Sequence, residues 1–231
     1  LENTNLGLGG NIVHDEIGPS TTTNFAVDVS YTIHFENESR LAFGIKAGGQ
    51  LLNIDYTKLN HYNPSDVSFR NNINNQFSPN IGAGLFYYTE NSYLGLSVPM
   101  LLQTKMYDEF AYSDVNRRQH FYLTGGRVFD VTDNIKFKPA FIAKMVAGAP
   151  LQVDLTGNFL INEKFTVGVA YRWSAALSAL VGFKVNDRVS IGYGYDRETT
   201  RLANFNSGSH EIFLQFDLFK INQHIETPRF F

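Results

Sequence analysis

The chain has 231 residues, of which 14% are aromatic and only 18% charged, with 19 Gly, 20 Phe and 12 Tyr, a balance that fits a β-barrel membrane protein better than an average soluble enzyme. A formal charge of -3, a pI near 6.1 and no basic cluster beyond Arg117-Arg118 leave no footprint for nucleic acid, and the lack of cysteine excludes disulfides and thiolate metal sites. No window approaches the roughly 18 uninterrupted apolar residues of a helical membrane span, and length alone allows one large all-β domain or two small ones.

Taken in order, Asn5 to His14 alternates Leu6, Leu8, Gly10 and Ile12 with Gly7, Gly9 and Asn11, and Asp15 to Thr23 has the chemistry of a loop. Phe25, Val27, Val29, Tyr31, Ile33 and Phe35 then alternate with Ala26, Asp28, Ser30, Thr32 and His34. Glu36 to Ser39 turns the chain, and Arg40 to about Tyr56 carries Leu41, Phe43, Ile45, Ala47, Gly49 and Leu51 on its oily side. Thr57 to Ser78, rich in Asn, is too long for a hairpin turn and too polar for a spanning strand. Asn80 to Tyr88 and Tyr93 to Met100 are strands joined by Thr89 to Asn91, and a second long charged connector runs from Gln103 to Gln119.

Phe121 to Phe129 is a strand whose faces do not separate, and Asp130 to Asn134 turns into Ile135 to Met145. There Ile135, Phe137, Pro139, Phe141, Ala143 and Met145 oppose Lys136, Lys138 and Lys144. Leu151 to Phe159 alternates again, and the last strand runs from Ser209 to about Lys220, with Ile212, Leu214, Phe216 and Leu218 on its oily side. Between them, Phe165 to Asp196 carries the cleanest pattern in the chain. Every second residue, from Phe165, Val167, Val169, Tyr171 and Trp173 to Val189, Ile191, Tyr193 and Tyr195, is apolar or aromatic. The set between is small, polar or charged apart from Leu180: Thr166, Gly168, Ala170, Arg172, Ser178, Gly182, Lys184, Ser190, Gly192, Gly194 and Asp196. Side chains alternate faces along a strand, so each of these strands has one oily and one narrow, wet face.

A soluble sheet turns its oily face to a core, whereas a membrane barrel turns it to lipid. A face of Gly, Ala and Ser broken by single charges suits a crowded lumen better than a solvent surface. The expected fold is therefore an all-β, antiparallel up-and-down transmembrane barrel over residues 1–219, of about twelve strands, with 220–231 as a tail. The even-numbered connectors are short and Asn-containing and the odd-numbered ones include every long loop, which places both visible chain ends on the periplasmic side.

Opposite charges would then share one lumen: Asp28, Lys46, Lys138, Lys144, Asp154, Arg172, Lys184, Asp196, Glu211 and Asp217. A paired network that fills the interior and fixes register outweighs a solute-conducting path, because an unpaired buried charge costs several kcal/mol. Ser209-His210-Glu211 has triad letters, but neighbours on a strand point to opposite faces and cannot relay a proton. His14-Asp15-Glu16 lacks a fourth metal ligand at suitable spacing, and the Gly-rich stretches at Gly48 and Gly192 precede no helix that would cradle a phosphate. No cofactor and no enzymatic role is expected.

Lys138-Pro139, Ala149-Pro150-Leu151-Gln152-Val153-Asp154, Tyr171-Arg172, Ser178 to Gly182, Ile191 to Asp196 and Gly208 to Ile212 together resemble the PorP/SprF family of type IX secretion and gliding proteins of Bacteroidetes outer membranes. Leu6 to Gly9 with Asp15, Ile17, Gly18 and Pro19 is similar to an earlier segment of the same family. The resemblance implies a barrel of about fourteen strands with its first pair preceding Leu1. It also implies a non-enzymatic role: helping a specific adhesin or cargo protein leave the cell and stay attached outside, alongside other secretion components on the periplasmic side. Aromatics in the polar loops, Tyr62, Phe69, Tyr107, Phe110, Tyr112 and Phe205, are the candidate partner contacts. A channel for small solutes is the alternative, and an outer-membrane hydrolase a distant third.

Overall fold

Alternating residues of this kind pair into one long meander. The computed structural model describes residues 5–59, 72–102, 105–106, 115–116 and 118–217. Its strands are β1 (Leu6–Ile17), β2 (Ser20–His34), β3 (Arg40–Ile54), β4 (Ile73–Tyr88), β5 (Ser92–Val98), β6 (Lys105–Met106), β7 (Val115–Asn116), β8 (His120–Arg127) and β9 (Phe129–Thr132). They continue with β10 (Ile135–Val146), β11 (Gln152–Ile161), β12 (Phe165–Arg172), β13 (Ala176–Asn186), β14 (Val189–Glu198) and β15 (Ser209–Phe216). Strands β6 and β7 form a separate small hairpin. The other strands make one antiparallel sheet in chain order, β1-β2-β3-β4-β5-β8-β10-β11-β12-β13-β14-β15, with β9 continuing the line of β8 along β10. Among the described residues β1 and β15 are its two edges, and the sheet is not closed between them.

The register shows how the wall is tilted. One continuous row of partners runs His34, Arg40, Tyr88, Tyr93, Gly126, Ala140, Thr156, Ala170, Ser178, Asp196, Ser209. It begins beside the β2–β3 turn and finishes at the opposite end of the wall, where β15 starts. That stagger is the shear a barrel requires, because closing a sheet tilts its strands against the axis. Register shifts occur at Leu52/Ile54, Ile135/Lys136 and Lys184/Asn186, each at the end of a strand.

Burial is inverted relative to a water-soluble fold. Val27, Ile45, Val169 and Ile212 on the oily face are 59%, 63%, 60% and 79% exposed, whereas the buried polar residues include Ser78, Lys138, Asp154 and Thr166. Leaving one such aliphatic side chain in water forfeits about 1.5–3 kcal/mol of burial. With an oily residue at nearly every second position of twelve strands, the total would exceed the whole stability of an ordinary domain, so this face requires hydrocarbon. Leu52 and Ala176 are the buried hydrophobic residues among those described.

Three predicted segments differ from the structure. Asp15 to Thr23 is not a loop: β1 and β2 are continuous ladders joined at Gly18-Pro19, with Ile17 opposite Ser20. Gly18 has φ 58°, the left-handed conformation that such a tight turn needs. Ile73 to Ser78, assigned to the Asn-rich connector, belongs to β4 and pairs with β3 through Phe77–Leu51 and Gln76–Leu52. Asp130 to Asn134 is only partly a turn, because β9 pairs with β10 up to Thr132. Strands of 15, 15 and 16 residues in β2, β3 and β4 exceed the roughly 9–11 needed to cross a bilayer. The surplus, Ser20–Asn24, Gln50–Ile54 and Ile73–Ser78, extends the wall at the end that carries the long connectors.

Candidate functional site

The inner face, lined by glycine and charge, carries the first part of the site. Lys144 Nζ donates to Asp154 Oδ2 at 2.8 Å and Arg172 Nε to Asp154 Oδ1 at 3.1 Å, so one carboxylate bridges three neighbouring strands, β10, β11 and β12. Asp154 is 11% exposed at its side chain, and its two partners are 30% and 39% exposed. Two charge-assisted bonds offset the desolvation of the acid, while the cations keep contact with water. Ser178 Oγ donates to Asp196 Oδ1 at 2.6 Å, and Asp28 pairs with Lys46 at 3.6 Å directly across β2 and β3. Lys184 turns away from this network to Asp187 of its own turn, at 3.5 Å. Glu211 lies exposed on edge strand β15, opposite Gly194, and lines a cavity of about 330 Å3 with Arg172, Ser178 and Asp196. Among the described residues the direct bonds of these charges centre on Asp154, Asp196 and Asp28, and Lys184 bonds to Asp187 instead.

Small residues opposite these charges make room for larger ones. A Cβ on Gly168 would collide with Asn158 Oδ1, and a Cβ on Gly192 would fall inside the Phe213 ring. Inner-facing Phe213 therefore lies flat on β14. The sequence reading missed a second group of inner aromatics, Phe86, Tyr88 and Tyr93, because in β4 both alternating sets contain aromatics and neither looks wet. Gly95 and Gly126 opposite them were the available signal: a Cβ there would lie 3.0 Å from the Phe86 ring and 2.8 Å from the Tyr93 ring.

The end with the long connectors carries the second part. Phe205 stands 86% exposed beyond a single 3₁₀ turn, Arg201–Asn204. Tyr62, Phe69, Tyr107, Phe110 and Tyr112 lie outside the described residues. The root of the β3–β4 connector is firmly built. Asp55 Oδ1 accepts from Thr57 N at 3.0 Å, Thr57 Oγ1 at 2.6 Å and Asn72 Nδ2 at 3.1 Å, and Asn72 Oδ1 accepts from Tyr56 N at 3.0 Å. The Thr57 hydroxyl and amide, with lesser help from Asn72 and Lys58, hold the Asp55 carboxyl below the usual aspartate range against the opposing pull of desolvation. Lys58 reaches Glu16 of β1 at 3.3 Å. The next long connector is gripped in the same manner: Gln119 Nε2 donates to Leu101 O at 2.8 Å, and Arg118 donates to Ala147 O.

The triad letters resolve as their spacing demanded. His210 projects to the outer face and shares a 2.6 Å hydrogen bond with Tyr193, while Ser209 and Glu211 share the opposite parity. His14 and Glu16 are engaged with Thr23 and Lys58, and among the described residues no three metal-binding side chains converge.

An apolar outside, a charged and glycine-lined inside and long connectors confined to one end are the features of an outer-membrane barrel wall. The family model described as "Type IX secretion system membrane protein PorP/SprF" matches residues 1–216. The chain belongs to the PorP/SprF family. A comparison with curated protein sequences gives no match. Membership assigns this PorP/SprF chain to a secretion-system membrane protein family and not to a family of enzymes. No described helix is long and apolar enough to cross a membrane. Other secretion components are accordingly among its partners.

Proposed function

We propose that this chain is an outer-membrane accessory barrel of the type IX system that assists export of a particular surface protein and holds it at the cell surface through the long-connector end. The observation that carries the reading is the construction of that end. Strands β2 to β4 continue beyond the length a bilayer needs as a mostly polar wall, and Asp55, Asn72, Lys58 and Glu16 clamp the root of the connector between β3 and β4. Connectors that merely cap a barrel mouth need no such clamp, whereas a binding loop gains affinity from a pre-ordered base. Aromatic side chains set in these polar segments, Phe205 among them, supply the contact chemistry typical of protein interfaces. The opposite end, with its short turns, faces the periplasm, together with residues 220–231.

The test replaces residues 60–71 with a short Gly/Ser connector and leaves Asn72 and β4 untouched. The barrel is expected to fold and insert as before, with its heat-modifiable migration intact, while the surface partner is released into the medium. Retention of the partner at wild-type level by a correctly inserted variant would remove this connector as the contact.

A further inference from the structure

From β10 to β15, among the described residues, two ionisable side chains other than tyrosine have outward parity, Arg197 of β14 and His210 of β15, and neither is an acid. Arg197 is opposite Leu177 and His210 is opposite Tyr195, one same-face step of roughly 6.5–7 Å along β14 from Arg197. With ten residues, β14 is just long enough to cross a bilayer, and Arg197 is its last outward residue at the long-connector end. The guanidinium therefore stands at the margin of the oily face, where the penalty for an outward arginine fades. It makes no ion pair among the described residues. The acids on either side of it, Asp196 and Glu198, have the opposite parity and accept from Ser178 Oγ at 2.6 Å and Thr200 Oγ1 at 2.9 Å. His210 is fixed by two tyrosines: its Nδ1 shares the 2.6 Å bond with the Tyr193 hydroxyl, and the Tyr195 ring lies 4.9 Å from the imidazole. With the Tyr193 hydroxyl donating to Nδ1, Nε2 carries the ring proton and is a second donor beside the guanidinium.

We infer that Arg197 and His210 bind the phosphate of an anionic membrane lipid in the leaflet at the long-connector end. Position selects that occupant, because what lies beside an outward side chain at the margin of the oily face is a lipid headgroup. Charge complementarity agrees: a guanidinium fork without a protein acid matches phosphate oxygens, and the neighbouring tyrosines are the residues of a membrane interface. The inference rests on the barrel reading of the wall and is independent of which connector holds the surface partner.

The chain carries its own reporter. Trp173 is the sole tryptophan, 66% exposed, and its N–H donates to Val153 O at 2.9 Å, which continues the ladder of β12 with outward parity at the same end. The full chain is folded into vesicles of phosphatidylcholine brominated high in its acyl chains, and unbrominated phosphatidylglycerol or phosphatidylcholine is titrated in while Trp173 fluorescence is followed. Each unbrominated lipid that settles beside Trp173 relieves quenching, and phosphatidylglycerol is expected to do so about five-fold more strongly than phosphatidylcholine. Arg197→Gln should bring that preference close to one, and His210→Phe, which keeps a ring, should lower it about two-fold. Arg127→Gln makes the same change of charge at the short-turn end, where Arg127 rests 5.2 Å over the Phe129 ring, and should leave the preference intact. Equal relief by the two lipids, a preference that survives Arg197→Gln, or one that falls as far in Arg127→Gln overturns the site. Trp173 left unquenched in pure brominated lipid would sink the barrel reading together with the site, whereas quenching without preference removes the site and leaves that reading standing.

Discussion

Removing the acid from the three-strand bridge isolates what a paired charge contributes to this wall. In Asp154→Asn the shape is kept, and Lys144 and Arg172 are left facing one another across the position of a carboxylate that had bonded both, at 2.8 and 3.1 Å. Breaking a fully buried pair costs about 3–5 kcal/mol. Because the two cations are 30% and 39% exposed, water recovers part of that, and we expect a loss of about 1.5–3 kcal/mol. Asp28→Asn is the internal control: its pair with Lys46 is longer, at 3.6 Å, and 32% and 40% exposed, so its loss should stay below about 1 kcal/mol. The assay is reversible urea unfolding in lipid vesicles, with Lys144→Met and Arg172→Met completing double-mutant cycles against Asp154→Asn. A loss at Asp154 no larger than at Asp28, or cycles without coupling, would refute the view that this inner face is held by paired charge.

Three further outcomes follow from the geometry. Val169→Arg, on the oily face at the middle of β12, should cost about 2–4 kcal/mol in vesicle unfolding, while Ala170→Arg on the inner face should insert normally; the opposite order would reverse the two faces. Gly192→Ala should cost about 1–3 kcal/mol by driving a methyl group into the Phe213 ring, whereas Gly194→Ala, whose Cβ would meet nothing closer than Glu211 Cβ at 3.8 Å, should be tolerated; equal thermal stability of the two would contradict the packing. Asp55 has a depressed folded pKa, so its contribution is complete above its unfolded value of 3.8 and is lost as pH falls through the lower folded value. Protease cleavage within 60–71 should accordingly rise as the pH drops below about 4, and Asp55→Ala should show the raised cleavage already at neutral pH.

The membrane-facing strands were legible because hydrocarbon on one side and glycine on the other leave a two-residue period in the letters. Phe165 to Asp196 could be read residue by residue. Legibility failed where both faces are wet. Thr21, Thr22 and Thr23, or Asn74, Asn75 and Gln76, are in strands, yet nothing on either side of them demands oil, so their composition resembles a loop. The charges were readable as a set but not as pairs. Cross-strand register brings Asp154 opposite Arg172 and Asp28 opposite Lys46, while Lys184 lies one turn from Asp187, and that register rests on hydrogen bonds that composition does not reveal. Phe86, Tyr88 and Tyr93 escaped because an aromatic on an inner face looks the same in sequence as one on an outer face.

The placement of the three register shifts at strand ends says how such a wall can change length over time. One residue added in mid-strand, for instance within β12, would turn every later side chain of that strand over, sending Arg172 to lipid and Tyr171 inward. Insertions and deletions inside the bilayer should therefore survive only in twos, while odd ones collect at the margins, where a slip can be absorbed before it reaches hydrocarbon.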